Sequence, residues 1–155
     1  MKAYTKETLG LMREIYRAYK AEMAAVARYT YGQILFEKTH PALSDLFASI
    51  ARAEMRHYHI LGELLRDLGV SHALKVNLQD FAYRFEGNDN ESALRAAHHF
   101  LRERIKEERT VATAYQHLAG VAAMAITREM LSALSQEEAD HAAALEAALL
   151  RLSAS

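Results

Sequence analysis

The sequence of 155 residues contains no cysteine, one proline and only six glycines. The absence of cysteine excludes disulfides, thiolate-bound zinc, cysteine-ligated iron–sulfur clusters and cysteine nucleophiles. Any bound metal must therefore be held by oxygen and nitrogen atoms. Because proline and glycine are scarce while alanine, leucine, glutamate and arginine are plentiful, the composition favours long helices, and we expect an all-α protein.

The chain also lacks a strong charge of either sign and a long apolar run. Its 19 Lys+Arg and 20 Asp+Glu give a net charge of -1, which offers no basic field for nucleic acid or anionic lipid. No apolar run approaches the roughly 20 residues of a membrane span, and the amino terminus lacks the apolar core of a signal peptide. We expect a single domain over residues 1–155, a cytoplasmic location, and no nucleic-acid or membrane partner.

Four segments show apolar residues at alternating spacings of three and four, the period of helices in a bundle. The break at Pro41 can join only antiparallel neighbours, whereas the aperiodic residues 70–89 are long enough to cross a bundle. This predicts an up-down-down-up four-helix bundle with a long crossover between helices two and three. The expected helices run from about Lys6 to Lys38, from Pro41 to about Leu68, from Asp89 or Asn90 to about Gly120, and from about Ala125 to Leu152.

Acidic residues and histidines interrupt the apolar stripe of every predicted helix. Each half of the chain has a glutamate, a tyrosine seven residues later, and a Glu-x-x-His motif beginning 32 or 30 residues after the first glutamate. A solvated face is the ordinary explanation for charges on a helix, but interruptions in register with an internal repeat favour metal ligands. The candidate ligands are Glu22, Glu54, His57, Glu108, Glu138 and His141.

Four inward-facing carboxylates repel one another and are costly to bury without counter-charges. We expect no lysine or arginine on these stripes near the site, so two divalent cations would balance the charge. Glutamate and histidine together suit iron or manganese, which predicts a dinuclear metal centre. In the expected arrangement Glu54 and Glu138 bridge the metals, Glu22 and His57 complete one, and Glu108 and His141 complete the other.

The two tyrosines of the repeat lie about 10 Å along the helix from the glutamate that precedes them, too far to touch it. We expect each phenol to cross the bundle and hydrogen-bond the other half's glutamate, Tyr29 toward Glu108 and Tyr115 toward Glu22. Glu107 competes with Glu108 as the ligand, but the tyrosine spacing favours Glu108. Glu103 and Glu107 are expected in solvent, as is the pair His98-His99.

Glutamates from two helices combined with Glu-x-x-His motifs from the other two resemble the ferritin-like dimetal carboxylate superfamily. Within it, the segment Glu22-Met23-Ala24-Ala25-Val26-Ala27-Arg28-Tyr29-Thr30-Tyr31 resembles the first helix of rubrerythrins, with bacterioferritins next nearest. The resemblance implies two iron ions, or alternatively manganese, that react with hydrogen peroxide or dioxygen. It favours an oxidoreductase that forms a homo-oligomer, with a dimer preferred.

Two departures from rubrerythrins bear on the reaction. Rubrerythrins usually add a cysteine-rich rubredoxin domain that supplies electrons, so this cysteine-free chain would need a separate electron donor. Ile105 and Val111 stand three residues before and after Glu108, where rubrerythrins carry a further glutamate. The alternatives left open are an iron-storage cage subunit, a manganese catalase-like protein and a structural metal-binding bundle.

Two further positions follow from the likeness to bacterioferritins. Those proteins place an acid before each bridging glutamate to orient the opposite histidine, a role open to Glu137 for His57 but not to Ala53 for His141. They also bind haem through a methionine at the position of Met55. Methionine more often fills a gap in packing, so we expect no haem here.

Overall fold

The computed structural model describes residues 4–70 and 90–154, which are almost entirely helical and contain no strand. The predicted all-α fold is confirmed. Within these described ranges, no helix combines the length and apolarity that crossing a membrane requires. The helices are α1 (Lys6–Phe36), α2 (Pro41–Asp67), α3 (Asn90–Val121) and α4 (Ala125–Ala154).

The first hairpin follows local signals in the sequence. The hydroxyl of Thr5 accepts a hydrogen bond of 3.2 Å from the Thr8 N–H and caps α1. Helix α1 ends at Phe36, two residues before the predicted end, because the chain turns there and the His40 N–H donates to the Phe36 carbonyl at 2.8 Å. Pro41 occupies the first turn of α2, as predicted.

The end of α2 is a Schellman motif. Gly69 has φ 78, a left-handed conformation that only glycine adopts without strain. Its N–H donates to the Arg66 carbonyl and the Val70 N–H donates to the Leu65 carbonyl, both at 2.9 Å. The predicted glycine cap is therefore confirmed.

The second hairpin is closed by an arginine that sequence reasoning did not identify. Helix α3 begins at Asn90, which is thus inside the helix, and Asp89 lies outside the described residues. Residues 122–124 form the turn to α4, within the predicted range. Arg128 Nη1 donates to the carbonyls of Ala122 and Ala123 at 3.0 and 2.7 Å. These carbonyls follow the last residue of α3, where helical hydrogen bonding ends, and the arginine gives them a partner.

Side chains that meet across the bundle fix its topology. Helix α1 packs mainly on α2, and α3 on α4. Tyr29 and Glu22 of α1 contact Glu108 and Tyr115 of α3, respectively, so these two helices are antiparallel. The order is therefore up-down-down-up, as predicted. The connection over residues 71–89, which joins the end of α2 to the start of α3, lies outside the described residues.

The apolar core is divided into two clusters. One, the aromatic core, contains Phe36, Phe47 and Phe100, and the Phe47 and Phe100 ring centroids are 4.9 Å apart. The other, the aliphatic core, contains residues such as Leu61 and Leu131. The glutamates and histidines predicted as ligands occupy the layer between the two clusters.

Gly32 allows α1 to approach the aromatic core closely. A Cβ there would lie 2.7 Å from Phe100 Cζ and 2.9 Å from Phe47 Cδ2. We expect Gly32→Ala to lower the free energy of unfolding by about 1–3 kcal/mol, because the rings must shift out of a packed core. Gly10→Ala on the same helix is the control, since a Cβ there meets nothing within 4 Å and should add up to about 1 kcal/mol. Urea unfolding measures both, and equal effects would contradict this packing role.

Candidate metal centre

The predicted ligands meet at the middle of the bundle, with every helix contributing. Glu22, Glu54, His57, Glu108 and Glu138 are buried, and the His141 side chain is 13% exposed. Their donor atoms form two groups, within each of which the atoms lie no more than 4.8 Å apart. Both groups contain Glu54 and Glu138, while the first adds Glu22 and His57 and the second adds Glu108 and His141.

His57 points one ring nitrogen into the site and the other outward. Its Nδ1 lies 2.9 Å from Glu138 Oε1 and 3.5 Å from Glu54 Oε2. Glu22 Oε2 is slightly farther, at 3.9 Å from the same nitrogen. Its Nε2 lies 3.0 Å from Glu137 Oε2. With Nε2–H donating to Glu137, the lone pair of Nδ1 is available to a cation among the carboxylates.

His141 occupies the equivalent position in the second half. Its Nδ1 lies 3.0 Å from Glu54 Oε1 and 3.2 Å from Glu138 Oε2. Glu108 Oε2 is 3.6 Å from the same nitrogen. The two imidazole rings stack with centroids 5.6 Å apart. Glu54 and Glu138 therefore lie between the histidines, with an oxygen of each directed to either side.

The two tyrosines cross the bundle in the pairing that the spacing predicts. Tyr29 Oη donates to Glu108 Oε1, and Tyr115 Oη donates to Glu22 Oε1. Tyr29 belongs to the aromatic core and Tyr115 to the aliphatic core, so the phenols reach the carboxylate layer from opposite ends. Each bond fixes one oxygen of a carboxylate and leaves the other free to face the site.

The surroundings of the two histidines differ. Glu137, which accepts from His57, is itself held by Arg56 Nη2 at 2.5 Å. The matching position in the first half, directly before Glu54, is Ala53, which has no polar side chain to offer His141. The contacts of His141 with carboxylates in the described residues all involve Nδ1. Glu137 thus contacts His57 as predicted, and the site is asymmetric in its outer contacts.

The expectation that no arginine lies on the stripes near the site is wrong. Arg104, four residues before Glu108 and therefore on the same helical face, is only 3% exposed. It forms an ion pair with Glu107, as does Arg28, whose Nη1 lies 3.0 Å from Glu107 Oε2. Reading the α3 stripe as apolar obscured this arginine. In the Arg28–Glu107–Arg104 cluster, both arginines pair with Glu107.

The other candidates lie outside the two donor groups. His99 is exposed and His98 is half-buried, and neither belongs to a group of donors. Glu103 is exposed, as expected, whereas Glu107 is half-exposed and ion-paired rather than simply solvated. Met55 is 45% exposed, so it does not fill a gap in the core of this chain.

Burial and mutual repulsion divide the carboxylates into protonated and ionised pairs. Burial raises the pKa of Glu22 well above its usual range and that of Glu108 to about 8. Burial would also raise the pKa of Glu54, but the imidazoles of His141 and His57 outweigh it and hold that pKa at about 2. The pKa of Glu138 is lowered in the same way, by hydrogen bonds from His141 and His57 that overcome burial.

The histidines shift in the opposite direction. Burial alone would lower their pKa values, but hydrogen bonds to the glutamates raise the pKa of His57 to about 11 and that of His141 to about 12. At neutral pH without metal, two imidazolium ions therefore face two carboxylates, and the remaining two glutamates are neutral acids. The layer has no net charge only because it holds four protons.

This arrangement fits two divalent cations. Replacing the four protons by two such ions leaves the net charge at zero and provides carboxylate and imidazole donors that suit iron or manganese. Glu54 Oε1, which lies near His141 Nδ1, is buried without a hydrogen bond of normal geometry. A buried carboxylate oxygen without a hydrogen-bond donor is suited to bind a cation.

A cavity of about 950 Å³ between α1 and α3 reaches the carboxylate layer. Its inner wall includes Glu22, Glu108 and Tyr115, and its outer wall includes Arg28 and Lys106. The two histidines and Tyr29 are not among its lining residues. A small molecule would therefore reach the site from the α1–α3 side, opposite the histidines.

The pKa shifts predict how the metal-free protein responds to pH. The pKa of Glu108 is about 8 in the folded protein against 4.5 when unfolded, and those of His57 and His141 are also raised. A group whose pKa is higher in the folded protein than in the unfolded chain stabilises the fold at low pH, and this stabilisation is lost as pH rises. We expect the free energy of unfolding to fall between pH 5 and 8, by on the order of 1 kcal/mol per pH unit for each group that titrates there.

Urea unfolding of metal-free protein at several pH values measures this slope. Glu108→Gln is the matched variant, because it removes one titrating group and should make the decline shallower. Stability of the metal-free protein that is constant or rises over this range would contradict the protonated layer.

The family model for rubrerythrin matches residues 15–149, which includes the four glutamates, the two histidines and both tyrosines of the site. A search of curated proteins finds no match. Since the family match covers most of the chain, this protein belongs to the rubrerythrin family.

Proposed function

We propose that this protein is a dimetal oxidoreductase that binds two iron ions between its four helices and uses them to reduce hydrogen peroxide. The observation that carries the proposal is the pair of donor groups that share Glu54 and Glu138. Sharing two carboxylates is what a pair of adjacent cations requires, whereas two independent sites would have separate ligands. Membership of the rubrerythrin family supports iron and peroxide, with manganese and dioxygen as the alternatives.

Each side chain has a distinct role in this account. Glu54 and Glu138 would be shared by the two ions, Glu22 with His57 and Glu108 with His141 would each hold one of them, and each histidine directs Nδ1 toward the carboxylates. Tyr29 and Tyr115 orient the terminal glutamates, and Glu137 orients His57. These hydrogen bonds to the ligand side chains would keep the ligands in position while the ions change charge.

Two iron ions bound here would supply the two electrons that reduction of peroxide to water requires. The protein's part is to admit the oxidant and to provide protons. The α1–α3 cavity leads to Glu22 and Glu108 without passing the histidines. Burial raises the pKa of Tyr115 well above its usual range, so its phenol keeps its proton beside this entrance. Because the chain contains no cysteine, electrons would come from a separate donor.

The shared ligands give a sharp test of the bridging assignment. Glu54 belongs to both donor groups and Glu22 to only one. We expect Glu54→Ala to weaken binding of both ions, and Glu22→Ala to leave one ion per chain bound with near-native affinity. Anaerobic titration with ferrous ion followed by metal analysis measures the stoichiometry. Glu63→Ala, at a half-exposed glutamate on α2 outside both donor groups, is the control and should bind two ions.

The outcome that would contradict the assignment is equally specific. If Glu54→Ala still binds two ions with native affinity, Glu54 is not a bridge. Far-ultraviolet circular dichroism of each variant distinguishes lost ligation from lost folding.

The reaction itself is tested on purified protein by metal analysis, solution mass and mixing with peroxide. We expect two iron ions per chain, a dimer, and rapid oxidation of the reduced protein by hydrogen peroxide. A large shell containing many irons would instead indicate storage, and a manganese-loaded protein that disproportionates peroxide would indicate catalase chemistry. Iron that is bound but inert to both peroxide and dioxygen would leave only a structural role, and so would contradict the proposal.

A further inference from the structure

The α1–α3 cavity is much larger than hydrogen peroxide requires. Its volume is about 950 Å³. A water molecule occupies about 30 Å³ in the liquid, and hydrogen peroxide has only one oxygen atom more. Sites that bind small organic molecules have volumes of roughly 300–1,000 Å³. The cavity therefore has room for an organic group beside the reacting oxygen atoms.

Small apolar side chains form the two long walls of the cavity. They are Ala18, Ala21 and Ala25 of α1 and Val111, Ala114 and Leu118 of α3. The three alanines of α1 are spaced by three and four residues, so they share one face of the helix. From Ala18 to Ala25 this face extends for about 10 Å along the helix axis. An apolar group of that length would contact methyl groups throughout.

The rim of the cavity carries acidic and basic side chains in equal number. The charged residues there are Glu14, Arg17, Arg28, Glu103, Lys106 and Glu107. Arg17 Nη1 lies 2.6 Å from Glu14 Oε1. Arg28 Nη1 lies 3.0 Å from Glu107 Oε2, and the other two rim residues are one acid and one base. Because neither sign is in excess, the rim favours a neutral ligand over an anion or a cation.

The inner end of the cavity is the carboxylate layer. Glu22 and Glu108 line it, and each has one oxygen held by a tyrosine while the other is free to face the site. Glu54 also lines this end, and its Oε1 is buried without a hydrogen bond of normal geometry. A neutral ligand with a polar head and an apolar body would have its head at these carboxylates and its body between the alanine walls.

We propose that the α1–α3 cavity is a substrate site for neutral organic hydroperoxides, ROOH, in which R is an apolar alkyl or aryl group. The group R lies along the alanine walls, and the O–OH group reaches the dimetal centre. This inference rests on the proposed function, because ferrous ions at the centre are needed to reduce the O–O bond. It specifies the class of oxidant for which the cavity is shaped, with hydrogen peroxide as a smaller molecule that does not fill it.

The reaction balances in atoms and electrons. The O–O bond of the hydroperoxide breaks, and two electrons come from the two ferrous ions, which become ferric. Two protons are taken up from solvent through the open rim. The products are one alcohol, ROH, and one water molecule. The separate electron donor of the proposed function then restores the ferrous state.

The first experiment tests binding without metal. Metal-free protein with carbon-13-labelled alanine methyl groups is titrated with 2-phenyl-2-propanol, the alcohol formed from cumene hydroperoxide, and followed by nuclear magnetic resonance. We expect saturable shifts of the methyl signals of Ala18, Ala21 and Ala25. The signal of Ala133, an exposed alanine on α4 that does not line the cavity, is the control and should not move.

Two results of this titration would overturn the proposal. One is the absence of saturable shifts at the cavity alanines up to the solubility limit of the alcohol. The other is a shift of these signals with protein concentration and not with alcohol, which would mean that a second copy of the chain occupies the cavity.

The second experiment tests the cavity as a substrate site. Reduced, iron-loaded protein is mixed with cumene hydroperoxide or hydrogen peroxide in a stopped-flow instrument, and the ratio of the two second-order rate constants is measured. Ala21→Leu narrows the cavity, so we expect this ratio to fall by about tenfold or more. Ala133→Leu on α4 is the matched control and should keep the native ratio.

A second variant guards against misfolding of the first. Ala114→Leu narrows the cavity from the α3 wall and should lower the ratio in the same direction. Ala21 and Ala114 are both exposed, so a larger side chain at either position is compatible with the fold. Circular dichroism verifies folding, and a native ratio in both folded variants would overturn the proposal.

The two experiments separate this inference from the proposed function. If the alanine signals shift but the iron-loaded protein is inert to both peroxides, the proposed function is wrong and the hydroperoxide is overturned as a substrate, although the cavity binds apolar molecules. If hydrogen peroxide is reduced while the signals do not shift and the ratio stays native in the cavity variants, the proposed function stands and the substrate class is overturned.

Discussion

The need to balance four buried carboxylates is the constraint on which the rest of this structure depends. Glu22, Glu54, Glu108 and Glu138 come from four different helices and lie in one layer between two apolar clusters. Ionised together they would repel one another strongly in a medium of low dielectric constant. Without metal, the layer is neutral at pH 7 because it retains protons, and bound cations would displace those protons. Folding, protonation and metal binding are therefore linked in one site.

The internal repeat explains why the site is nearly symmetric, and the two halves differ in the contacts that surround the central residues. Both tyrosines donate to a terminal glutamate of the opposite half. Within residues 4–70 and 90–154, only His57 has an outer carboxylate, Glu137, which would make its Nδ1 the stronger donor. The cavity opens the site on the α1–α3 side, so a small molecule that enters through it would meet glutamates and not histidines. Together these features support a reactive centre more than a structural one.

Much of this could be predicted from the sequence because the signals are local or periodic. The helix period and Pro41 predicted the first hairpin, and Gly69 predicted the end of α2. The internal repeat predicted which glutamates and histidines would meet. Arg104 was missed because a long side chain can lie on an apolar stripe and still reach a partner at its edge. The alanine walls of the α1–α3 cavity could not be foreseen, since the sequence does not give the relative rotation of two neighbouring helices. Metal identity is likewise not encoded in ligand type alone.

Proton release on metal binding tests the central claim most directly. Metal-free protein at pH 7 is titrated anaerobically with ferrous ion while a calibrated pH indicator counts the protons released per chain. Charge balance predicts that two ions displace about four protons, from Glu22, Glu108, His57 and His141. Release of one proton or none as two ions bind would show that the layer is not neutralised in the way described, and would contradict the account.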